Sequence, residues 1–233
     1  MYAEYGCTSY EFIDIENALF YNMGTSTFNS MLTKETSVYF QSILPNEIYS
    51  CDDENIHYVY HYFLLSKTNQ KYWWESDLLC KWDKIPLKKV NSTVKALDYY
   101  LAIKNHSNLV QCFDNENEKN LGLKIKLFIP QSSNFKNIMG IMKPMIDGIV
   151  CAFHTPDQID INEISNLLDL PKEYFSSIQN TCIGKRCYIN PYRKSVKWDP
   201  QDERLEYVFI EPVIVDDKMF SFSGELFVIP CYM

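Results

Sequence analysis

The chain has 233 residues, 46% hydrophobic and 22% charged, with a formal net charge of −8. That length and balance suit a folded chain with a sizeable core and exclude extensive disorder. They also exclude a surface that attracts polyanions everywhere, so any nucleic acid must meet a local basic patch.

Aromatic residues are abundant, 17 Tyr and 14 Phe, which favours β structure. "YEFIDIENALFY" (10–21) alternates as a strand and ends in a polar, turn-like cluster. "TSVYFQSIL" (36–44) reads as a second strand, stopped by Pro45. "NIHYVYHYFLLSK" (55–67) is rich in aromatic and β-branched residues, and "KYWWESDLLCKW" (71–82) is expected to pair with it as a hairpin. His57 and His61 lie four apart, but along a strand that spacing is about 13 Å, too far for one ion.

"NSTVKALDYYLAIKN" (91–105) is the first helix, with Ser92 or Thr93 as cap and Val94, Leu97, Tyr100 and Leu101 on one face. "DNENEKN" (114–120) is the most polar run and the best seam between halves. Two halves, 1–113 and 121–233, or one continuous domain, both fit. "LGLKIKLFIP" (121–130) is a strand with Leu123, Ile125 and Leu127 on one face and Lys124 and Lys126 on the other.

A long helix is expected over about 135–154. It carries Pro144 with Gly140 four residues before and Gly148 four after, in a chain of only 7 glycines. Proline presses on the carbonyl four residues back, and glycine lets another group approach the backbone. On a regular wheel Lys143, Asp147, Cys151 and His154 fall within roughly 80° of one another, beside a broad apolar face. One reading is a solvent-edge Lys143–Asp147 pair with His154 at the helix end. The other is a catalytic cleft where Asp147 binds a metal or acts as base, Lys143 holds an anion and His154 shuttles a proton.

"NEISNLLDL" (162–170) and "PKEYFSSIQN" (171–180) read as short helices, with Pro171 opening the second. "CIGKRCYINPYRKSVKW" (182–198) is a loop or irregular strand with five basic residues and no acid. Lys185, Arg186, Arg193, Lys194 and Lys197 suit phosphates, and Tyr188, Tyr192 and Trp198 between them suit stacked bases. Packed rings beneath solvated cations are the alternative. "WDPQDER" (198–204) follows, and Asp147, Asp199 and Asp202 are candidate oxygen ligands for Mg²⁺. "RLEYVFIEPVIV" (204–215) and "KMFSFSGELFVIP" (218–230) are expected to close the fold as a hairpin turned at Asp216-Asp217. The fold class is therefore α+β: an antiparallel sheet, a small helical layer and a C-terminal β-hairpin.

The eight cysteines show no C-x-x-C spacing. The first residues lack the basic and apolar stretches of a targeting segment, and no run approaches roughly 18 apolar residues. Reduced thiols in a cytoplasm, and no membrane partner, are the expectation. No P-loop, dinucleotide fingerprint or zinc spacing appears, so no organic cofactor is indicated.

"KPMIDGIVCAFH" and "PYRKSVKWDPQDERL" together resemble an uncharacterised bacterial protein family. That family carries a K-P-x-x-D-G-x-x-x-A-[FL]-[HQ] helix and a later P-Y-R-x-x-V-[KQ]-W-[DN]-P-x-D block. The resemblance implies a bacterial, cytoplasmic origin and no particular chemistry. Three functions fit these residues. One is a binding or adaptor protein, in bacterial defence or a mobile element, that contacts nucleic acid or a nucleotide through 182–198. The others are a metal-dependent phosphodiester or nucleotide hydrolase and a protein–protein subunit of a larger complex.

Overall fold

The computed structural model describes residues 2–7, 38–43, 58–63, 78–87, 95–106, 120–135, 139–176 and 183–229. Its strands are β1 (Tyr2–Cys7), β2 (Val38–Ile43), β3 (Tyr58–Phe63), β4 (Leu78–Leu87), β5 (Asn120–Pro130), β6 (His154–Pro156), β7 (Gly184–Arg186), β8 (Ile189–Tyr192), β9 (Ser195–Trp198), β10 (Leu205–Val215) and β11 (Phe220–Ile229). Its helices are α1 (Ala96–Lys104), α2 (Met139–Ala152), α3 (Ile161–Leu168) and α4 (Glu173–Ser176). The class is α+β. No helix among the described residues is long and apolar enough to cross a membrane.

Seven strands form one sheet in the order β3-β1-β2-β10-β5-β11-β4. It takes β1 to β4 from residues before 114 and β5, β10 and β11 from residues after it, so both stretches share one sheet. Most neighbours are antiparallel, with β1/β2 and β5/β10 parallel. The alternation expected of 121–130 holds in β5: Leu121, Leu123, Ile125, Leu127 and Ile129 are all fully buried. Lys126 points to the other face and reaches Glu211 at 3.7 Å.

The expected C-terminal hairpin does not form. β10 and β11 are not neighbours, because β5 lies between them and pairs with both. The short link after Val215 reaches over the end of β5, where Gln131 N–H donates to the Val215 carbonyl. Two inter-strand spacings are only about 10 Å, within reach of a few residues. The apolar face of β5 is what earns it the inside place.

The expected 55–67/71–82 hairpin is also replaced. β3 pairs with β1 at one edge, while β4 pairs with β11 at the other. The reason is side-chain fit. The Trp82 ring lies over Gly224 so closely that a Cβ there would sit 2.2 Å from it. The strand expected at 10–21, the polar run 114–119, His57, and the cap candidates Ser92 and Thr93 lie outside the described residues.

α1 and α2 pack on the sheet face that carries Trp82, Leu123, Ile125 and Phe222. Phe222 meets Trp82 and Tyr99 edge-on at 6.2 and 5.8 Å, and Phe153 meets Trp82 at 5.6 Å. α1 starts at Ala96, where the Asp98 carboxylate accepts from Lys95 N–H at 2.8 Å. Its inward residues are Ala96, Tyr99, Tyr100 and Ile103, rotated from the expected face, and Leu97 and Leu101 are half-buried. Adjacent Tyr99 and Tyr100 both turn inward because the helix is wedged between the sheet on one side and Phe175, Tyr188 and Trp198 on the other. α3 is capped by Asp160, whose carboxylate accepts from Glu163 N–H at 3.0 Å. Pro171 precedes α4 instead of opening it.

Candidate functional site

α2 answers the question of its two glycines separately. At Gly148 a Cβ would lie 2.2 Å from the Ala96 carbonyl oxygen and 2.8 Å from Tyr99 Cβ. The group that approaches the backbone is therefore α1, not a ligand. At Gly140, exposed, a Cβ would meet nothing within 4 Å.

The expected helix over 135–154 ends at Ala152, and His154 opens β6, paired in parallel with β7. That register turns the imidazole inward, and it is fully buried. Gln201 N–H donates to Nε2 at 3.3 Å, so the proton sits on Nδ1, 3.4 Å from the Gly184 carbonyl oxygen. Burial holds the imidazole neutral, with its pKa pushed down to about 3; nearby Arg186 and Arg204 act in the same direction. Both nitrogens thus tie chain segments together, and neither faces open solvent. Sequence placed His154 at a helix end because the apolar stripe of α2 runs on through Phe153. The stripe cannot show where the backbone changes from helix to strand.

Cys151 is fully buried, with Sγ 3.6 Å from the Tyr188 carbonyl, and burial raises its thiol well above the ordinary value. Tyr188 stacks on His154 at 6.2 Å, and its hydroxyl meets that of Tyr100 at 2.8 Å. Tyr100 also reaches the Tyr174 carbonyl oxygen at 2.8 Å. Burial pushes the Tyr188 phenol up to about 12, and that of Tyr100 upward too. This column is a satisfied, neutral core.

Beside it runs a rim of charge. The Lys143 ammonium stands 3.4 Å from both Asp147 and Asp202, joining α2 to the 3-10 turn Asp202–Arg204. Arg186 pairs with Glu203 at 3.0 Å and with Asp199 at 3.4 Å, and its Nε donates to the Asp199 carbonyl. Arg204, almost fully buried, donates to the Ile183 carbonyl at 3.0 Å and to Gln201 Oε1 at 3.1 Å. The helix 139–152 and the segment 183–204 are therefore in contact. Asp147 and Asp202 go to one cation and Asp199 to another. Among the described residues no three His, Cys, Asp or Glu side chains gather to hold a metal ion, so the expected Asp147, Asp199 and Asp202 set does not assemble.

The basic segment divides in two. Trp198 packs against Tyr100 at 5.2 Å, and Arg186 is held by acids. The rest is a hairpin. β8 and β9 pair in the register Ile189↔Trp198, Asn190↔Lys197, Pro191↔Val196 and Tyr192↔Ser195. Ile189 is buried and Trp198 packs inward, so the alternate residues Asn190, Tyr192, Ser195 and Lys197 share the outer face. Lys185, Tyr192, Arg193, Lys194 and Lys197 are exposed. Tyr192 is 52% exposed, with the Arg193 guanidinium 5.1 Å from its ring centroid.

Sequence reasoning missed Arg204 as the tie between Ile183 and Gln201, and it missed Glu206. Glu206 stands at a bulge in β10, between Leu205 and Tyr207, and burial raises its carboxyl to about 7. A bulge breaks the period of two, so "RLEYV" carries no trace of it. Compared with protein-family models, curated proteins and solved structures, the chain matches none.

Proposed function

We propose that this chain is a binding protein of the bacterial cytoplasm that takes a phosphate-bearing ligand, a nucleotide or nucleic acid, on the β8–β9 hairpin. One observation carries the reading. An exposed tyrosine with an arginine on its face stands among three exposed lysines, in a stretch without acids. Of the acids that follow in sequence, Asp199 and Glu203 are turned to Arg186 and Asp202 to Lys143. The tip cations thus keep their field in a chain of net charge −8. Cys151 and Cys187, thiols outside any disulfide, suit a reducing compartment.

The acid–base reading of Lys143, Asp147 and His154 is weaker. A neutral imidazole with both nitrogens already hydrogen-bonded offers a substrate neither a free lone pair nor an uncommitted proton.

The test is fluorescence anisotropy with a labelled oligonucleotide across a salt series. Binding should weaken steeply with salt. Arg193→Gln, Lys194→Gln and Lys197→Gln together should cut affinity at least tenfold and flatten the salt slope by about 2, near 0.7 per lost contact. No binding at low salt, or an unchanged slope in the triple variant, would remove the reading.

A further inference from the structure

The tip of the hairpin is built against its own backbone preference. Arg193 occupies the left-handed region, with φ of 56°. An L-residue pays there for contact between Cβ and carbonyl, and turns usually place Gly, Asn or Asp at such positions. A long cationic side chain gains nothing locally from that conformation. What it gains is position. The turn brings the guanidinium onto the Tyr192 ring. Lys84, Gln158 and Asp169 share that backbone region, so it is the exposed ring beside the arginine that sets this turn apart.

The geometry of the ring narrows the ligand. Tyr192 lies on the outer hairpin face with Lys197, diagonal to it across the register. One cation is stacked on the ring, and about half of the residue is open to solvent. A base inside a duplex already has a neighbour on each face and offers no stacking surface to a lone ring. A base in a single strand does, and aromatic stacking is tolerant of its identity. Lys194 and Lys197 are both exposed, and Lys197 shares the outer hairpin face with the ring.

We infer that the hairpin selects single-stranded nucleic acid over duplex, with Tyr192 stacking a base and Arg193, Lys194 and Lys197 holding the flanking phosphates. This rests on the binding reading above and gives it a ligand class. The experiment measures a labelled single strand and the matching duplex side by side, with the full chain, Tyr192→Leu and Arg193→Gly. The full chain should bind the single strand at least tenfold more tightly. Tyr192→Leu should lower that affinity about tenfold while leaving duplex binding alone. Arg193→Gly should weaken single-strand binding yet raise the melting temperature by about 2–4 °C, because glycine adopts the turn without strain.

Equal affinity for both forms, untouched by Tyr192→Leu, would overturn the inference while leaving the salt-dependent binding reading in place. Binding to neither form at low salt would overturn both. A melting temperature that falls in Arg193→Gly would show that the arginine serves the fold, and would also count against the inference.

Discussion

Arg186 and Arg193 belong to one basic run, yet the fold uses them in opposite ways. Arg186 is drawn into a corner where Lys143, Asp147, Asp199, Asp202 and Glu203 pair off around the buried His154. Arg193 stands in solvent at a strained turn with its charge uncommitted to any acid described here. The difference teaches where to look for function. Charges whose fields are already answered by opposite charges mainly join elements, whereas charges held outward are available to a ligand.

Three measurements bear on that contrast. The largest effect is expected in the corner. Arg204→Met leaves the Ile183 carbonyl without its donor and should cost about 3 kcal/mol of stability in chemical denaturation. Oligonucleotide affinity should stay as it was. A variant that kept its stability and lost binding would reverse the roles given to the two regions.

Next is the pH profile, which reads the corner and the strand leaving it. His154 stays neutral in the fold down to about 3, against an ordinary 6.5, while the unfolded chain takes up a proton below 6.5. Its contribution therefore falls as pH drops from 6.5, by about 1.4 kcal/mol per unit. Glu206 has the opposite sign. Its carboxyl is raised from 4.5 to about 7, so its contribution is complete below 4.5 and is lost as pH rises through 7. Between 4.5 and 6.5 the two slopes oppose each other, and the contributions of this pair should give a plateau. Glu206→Gln should replace the plateau with a steady rise up to 6.5. A profile unchanged by that substitution would show that Glu206 titrates as it does in the unfolded chain.

The smallest effect belongs to the tip. Lys194→Gln with Lys197→Gln should move stability by no more than about 0.5 kcal/mol, since both side chains are exposed. A larger loss would mean that the hairpin charges support the fold.

Much of this arrangement was legible beforehand. The alternation of 121–130 marked a strand with one apolar face, and β5 buries that face completely. The apolar stripe around Pro144 marked a buried helix, and α2 is one. The run 182–198 marked a basic-aromatic patch, of which Lys185 and the hairpin's Tyr192, Arg193, Lys194 and Lys197 are exposed. These are local properties: a period of two or of 3.6, and the density of charge along a short stretch.

The tertiary structure alone decided partnership. Nothing in 204–230 says that β5 will part its two strands, and nothing in 71–82 says that Trp82, one of its three tryptophans, will cover Gly224 of β11. The same holds for Arg186, which reads like Arg193 until Asp199 and Glu203 are brought to it, and for Gly148, whose missing Cβ makes room for the Ala96 carbonyl. Side-chain periodicity fixes which way a residue points along its own element. Which surface it meets depends on shape and charge contributed by residues far away in the chain, and these come together only when the chain has folded.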